Sequence, residues 1–172
     1  AGTTASLTAA SNITGSNISA GTDVDITATN GSIQGSSAFA GGTMDLVAGN
    51  EIDGSDFTAD GNLTVNAGWI VGSNLIAENG LLEVAAVTID GSELLAKDGS
   101  VELTADLLIG GSVTALDQGS GEGNVDISGD AVLNTSITAD GKAIVSADTG
   151  IDGGAIIART GDVELEAVQI AN

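Results

Sequence analysis

Residues 77–95 read AENGLLEVAAVTIDGSELL, and residues 96–114, directly after them, read AKDGSVELTADLLIGGSVT. One frame underlies both. Each stretch opens on Ala, reaches Gly three residues later and runs through an alternating triplet, Leu82-Glu83-Val84 or Val101-Glu102-Leu103. Each then sets an aliphatic residue before Gly-Ser with one residue between, as Ile89 before Gly91-Ser92 and Ile109 before Gly111-Ser112. A period of this length marks a stack of equivalent units that bury their faces against one another.

Outward from this pair the frame spans the chain. Breaking before Ala1, Ala20, Ala40, Ala59, Ala77, Ala96, Ala115, Ala139 and Ala158 gives units of 19, 20, 19, 18, 19, 19, 24 and 19 residues and a shorter last one. The long unit is explained by residues 117–124, DQGSGEGN, a Gly-rich loop inserted where other units make a short turn such as Ala59-Asp60-Gly61. Residues 1–172 are therefore expected to form a single repeat domain with one insertion.

Three apolar columns recur in every unit. The first is the alternating triplet, also seen at Val24-Asp25-Ile26, Met44-Asp45-Leu46, Leu63-Thr64-Val65, Val125-Asp126-Ile127 and Val163-Glu164-Leu165. Period two puts one face of a strand inside. The second column is expected at Ile13, Ile33, Ile52, Ile70, Ile89, Ile109, Leu133 and Ile151, closed by Gly-Ser in six of these eight coils. The third is Ile18, Ala38, Phe57, Leu75, Leu94, Val113, Ile137 and Ile156. Three short strands per unit, separated by turns, predict an all-β fold: a parallel β-helix (β-solenoid) of about nine coils of ~19 residues, with a rise of about 4.8 Å per coil. Parallel crossovers are right-handed as a rule, so a right-handed helix is expected. A helical fold is ruled out by the Gly, Ser, Thr, Asn and β-branched content of every unit.

Composition agrees and narrows the function. Proline is absent, so nothing interrupts a β ladder, and 26 glycines supply the turns. With only Trp69, Phe39 and Phe57 aromatic, the interior has to be filled by stacked aliphatic residues and Ala. Absence of Cys and His removes disulfides, thiol chemistry, zinc sites and His-based acid/base pairs. The net charge of −21 opposes binding to nucleic acid or anionic lipid, and no apolar run approaches a membrane span.

The frame A-x-x-G-x-h-x-h-x-A-x-x-I-x-G-S-x-h-x, with h apolar, resembles the repeats of filamentous haemagglutinin and related two-partner-secretion exoproteins across essentially the whole chain. The resemblance implies a long β-helical shaft on a Gram-negative bacterial surface, extracellular, serving adhesion, aggregation or delivery of a distant tip. The Asn-rich secretion domain of that family has no counterpart in these residues, so the resemblance is to shaft and not to head. Ala1 opens in register with a coil and Asn172 closely follows Ile170, so open β edges are expected to pair with neighbouring coils or copies of the same fibre, as a piece of a longer shaft or as stacked subunits; a host or neighbouring-cell surface is the other expected partner.

Carboxylates are the candidates for chemistry. Asp25, Asp45, Glu83, Glu102 and Asp126 fall on outward positions of the first strand, where rungs stack them. They are candidate calcium ligands bridging rungs, with a plain solvated face as the simpler account, since a hard cation takes six to eight oxygens. After the marker Ala the chain reads Asp60, Glu78, Lys97, and later Asp140, Arg159, which alternates charge between coils. A calcium-dependent or carbohydrate-binding adhesive surface is the alternative function. Less favoured are ice binding, because Thr8, Thr27 and Thr104 share a column with Val47, Asn66, Ala85 and Glu166, and a β-helical polysaccharide-active enzyme. The last lacks aromatic platforms and cationic groups to stabilise developing charge. The loop Gly119–Gly123 has no Lys and no following helix, and so does not form a phosphate cradle. No catalytic residue is assigned.

Overall fold

Apolar residues two apart turn one side of a strand inward, and repetition of that pattern lets each strand hydrogen-bond its equivalent one coil later. The computed structural model describes residues 2–120 and 123–171. Ala1, Gly121, Glu122 and Asn172 lie outside them, and with them the centre of the inserted loop and both chain ends. Among the described residues there is no helix, and none therefore that could cross a membrane.

The first two coils each hold three separate strands: β1 (Ala5–Ala9), β2 (Ile13–Thr14), β3 (Asn17–Ala20), then β4 (Val24–Ala28), β5 (Ile33–Gln34), β6 (Ser37–Ala40). From the third coil onward the first and second strands run on through their corner as one. The order continues β7 (Met44–Asp53), β8 (Asp56–Ala59), β9 (Leu63–Val71), β10 (Asn74–Ala77), β11 (Leu82–Asp90), β12 (Glu93–Ala96), β13 (Val101–Ile109) and β14 (Ser112–Ala115). After the insertion come β15 (Val125–Leu133), β16 (Ser136–Ala139), β17 (Ala143–Asp152), β18 (Ala155–Ala158) and β19 (Val163–Ala171).

Every pairing is parallel. One sheet runs β1-β4-β7-β9-β11-β13-β15-β17-β19, with β2 and β5 joined to its edge, and the other runs β3-β6-β8-β10-β12-β14-β16-β18. The chain is thus a β-solenoid of about nine coils with three walls. At about 4.8 Å per rung it makes a rod roughly 40 Å long.

The register confirms the first and third columns residue for residue. Leu63 pairs with Leu82 and Leu82 with Val101, while Phe57 stands between Ala38 and Leu75. All of these are buried. Alanines fill the corners where walls converge, as Ala40, Ala59, Ala77 and Ala96 at the end of the third wall and Ala28, Ala48, Ala67 and Ala105 at the end of the first. A larger side chain there would overpack the interior.

The second column differs from expectation in two coils. Ile89 pairs with Leu108, and Leu108 with Val132, so Leu108 and Val132 are the buried rungs, whereas Ile109 and Leu133 stand outward beside Asp90. The Gly111-Ser112 pair misplaces Ile109 by one residue, and Leu133, followed by Asn134-Thr135 with no Gly-Ser, is out by one as well. The corner requires a residue with φ near +60°, supplied by Gly91 in one coil, Gly110 in the next and Asn134 after that. Their N–H groups donate in succession to the carbonyls of Ile109, Leu133 and Asp152. Gly110, not Gly111, is therefore the counterpart of Gly91, and Gly111 takes the serine place.

That serine place is the polar element of the interior. Ser36, Ser55, Ser73 and Ser92 are buried, and the N–H of Ser16, Ser36, Ser55 and Ser73 each donates to the hydroxyl one rung on, at 3.2 Å in every case. In return the hydroxyls of Ser55 and Ser73 donate to the carbonyls of Asp53 and Val71 at 3.0 Å. Among the described residues no buried side-chain polar atom lacks a partner.

Candidate functional site

The five candidate calcium ligands lie outward because the residues on either side of each, such as Val24 and Ile26 around Asp25, are taken into the core. All five are exposed. Asp25 stacks on Asp45, and Glu83 on Glu102 and then Asp126, but Thr64 separates the two runs and Ile144 ends the second. Like charges at this spacing repel by about 1 kcal/mol in water before screening, a cost that salt reduces. Among the described residues no three acidic side chains gather closely enough to hold a metal ion. A straight ladder offers its oxygens from one side only, while calcium wants six to eight around it.

The alternation after the marker Ala becomes ion pairing between rungs. Lys97 Nζ sits 2.7 Å from Glu78 Oε1, and Arg159 Nη1 sits 2.7 Å from Asp140 Oδ1. A third pair, Lys142 with Glu164 at 2.7 Å, was not visible in the repeat frame. Exposed pairs of this kind contribute little stability, up to about 1 kcal/mol each. Lys142 borders a shallow surface depression lined also by Glu102, Asn124 and Asp126, at the lower end of the acidic ladder.

The described part of the insertion is held by carboxylates from neighbouring coils. Asp98 Oδ1 accepts the N–H of Gln118 at 2.9 Å and of Ser120 at 3.3 Å, and Asp140 Oδ2 accepts the N–H of Asp117 at 3.0 Å. The bond from the Gln118 amide, followed by that from the Ser120 side chain, draws the Asp98 carboxyl below the ordinary aspartate range. Asp140 is drawn down first by the Asp117 amide and then by Arg159. The residues Gly121 and Glu122 of the loop motif lie outside the described residues.

The threonine column is broken as the sequence indicates, running Thr8, Thr27, Val47, Asn66, Ala85, Thr104. A group the repeat frame passed over stands on the second wall. Trp69 is 53% exposed, and the register places Glu51 and Thr88 beside it on the adjacent rungs, with Asp53, Val71 and Asp90 in the next outward column. The signal was present in the chain: with Ile70 inward, strand alternation sends Trp69 out.

Comparison of the chain with protein-family models, with curated proteins and with solved structures finds no match.

Proposed function

We propose that this chain is a shaft segment of an extracellular bacterial fibre or large adhesin: a rigid, non-catalytic rod that holds another part of the assembly away from the cell surface. The observation that carries this is continuity of the core. Val24, Met44, Leu63, Leu82, Val101, Val125 and Ala143 form one buried row through seven successive coils. No coil can bury its inward face alone, so the working unit is the stack, and adding coils lengthens it.

Each coil pairs its neighbours in parallel through equivalent residues, as Leu82 does with Leu63 and Val101, and coils of the same kind add to such a stack by β-augmentation. The acidic exterior keeps such a rod dispersed.

Small-angle scattering over a dilution series, with calcium and with chelator, together with electron microscopy of the concentrated protein, tests this. Rod-like scattering of constant cross-section, with lengths of about 40 Å or multiples of it and no response to chelator, is the expected result. A calcium-dependent change in cross-section or assembly would replace the shaft with a calcium-dependent adhesive surface.

A further inference from the structure

We infer that the outer face of the second wall around Trp69 is a recognition site for a cationic side chain, arginine or lysine, carried on an exposed segment of a partner protein. Trp69 is the sole tryptophan of the chain and stands 53% exposed on β9, an interior strand of the larger sheet. A guanidinium or ammonium over an indole face is attracted to the ring quadrupole within about 6 Å of its centre, with Trp the best of the aromatic residues. The surroundings strengthen that preference. Glu51 lies on the adjacent rung at about 4.8 Å, and Asp53 and Asp90 occupy the outward column two residues along, about 6.6 Å further.

Charge balance makes the occupant external. The chain has three basic residues, and Lys97, Lys142 and Arg159 are engaged with Glu78, Glu164 and Asp140. None is left to neutralise Glu51, Asp53 and Asp90 beside the ring. Val71, between Asp53 and Asp90, gives the alkyl stem of a Lys or Arg an apolar floor. The site stands on this geometry alone and does not require that the rod belong to an adhesin.

Because Trp69 is the only indole, its fluorescence reports on this site directly. An acetylated, amidated tetra-arginine peptide is expected to shift and saturate the emission. The triple variant Glu51→Gln, Asp53→Asn, Asp90→Asn should weaken that binding by about tenfold or more. Asp126→Asn, Glu102→Gln, Asp148→Asn removes the same three charges from the first wall of later coils and the strand beyond, and should leave it within about twofold. Trp69→Leu, followed by calorimetry, should lose binding as the triple variant does. Equal weakening by both triple variants would reduce the effect to attraction by a polyanion and overturn the site. Saturable binding of cellohexaose that survives loss of the three carboxylates would overturn it in favour of a sugar platform, and a silent Trp69 would end the proposal.

Discussion

The hydroxyl of Ser73 accepts the backbone N–H of Ser55 at 3.2 Å, and both side chains are wholly buried. At the corner between second and third walls the backbone turns, and this N–H leaves the strand ladder. A hydroxyl from the next rung takes the carbonyl's place, so the amides of Ser16, Ser36, Ser55 and Ser73 each find an acceptor.

Ser73→Ala removes that acceptor and strands the Ser55 amide inside the core. The expected loss is about 1–3 kcal/mol in urea unfolding, against near neutrality for the exposed Ser128→Ala. A loss at Ser73 no larger than at Ser128 would mean that the ladder is not part of what holds the coils together.

Gly91 has φ +59° and open space where a Cβ would go, so Gly91→Ala tests backbone conformation without a clash. About 1–2 kcal/mol of destabilisation is expected. At the equivalent corner Asn134 holds φ +52°, and Asn134→Gly should raise the melting temperature or leave it unchanged. A clear fall at Asn134→Gly would assign that side chain a role beyond tolerating the corner.

Phe57 is buried next to Ala38 in the third-wall column, the largest side chain of the row against its smallest. Phe57→Ala should cost about 3–5 kcal/mol, and Ala38→Leu should be overpacked beside the intact ring. Combined, the two should recover part of the loss. Strict additivity in this double-mutant cycle would show that the two rungs do not share space.

The inserted loop should loosen in acid. The folded-state carboxyl of Asp98 lies below its unfolded value, so its contribution is complete above the ordinary aspartate range and is lost as pH falls through the folded value. Protection of the Gln118 amide, corrected for intrinsic exchange, should drop over that window, and Asp98→Ala should abolish it at every pH. A similar step at the Asp117 amide belongs to Asp140 and should survive that substitution. Acid-independent protection at Gln118 in the unaltered protein would contradict the assignment.

Much of the rod was legible in the chain because its interactions are local in the repeat. Val-Asp-Ile and Leu-Glu-Val triplets at a fixed interval specify which side chains go inward whatever the details of the walls, and the register agrees at Leu63, Leu82 and Val101. The acidic ladders followed from the same alternation. Where reading failed, the marker was a turn rather than a core residue. Gly111-Ser112 looks like the other corners, but Gly110 is free to take the positive φ first, which shifts Leu108 inward and Ile109 outward.

By itself the sequence determined the period, the parallel stacking and the first and third inward rows, since these depend only on spacing and on burial of aliphatic side chains. Tertiary structure alone decided the relations across coils at the corners: the Ser55–Ser73 ladder, the pairing of Lys142 with Glu164, and the company of Glu51, Asp53 and Asp90 around Trp69. The physical reason is register. Corner lengths vary by a residue, as at the shift between Ala48 and Glu51, and a one-residue change decides which side chains from successive coils meet.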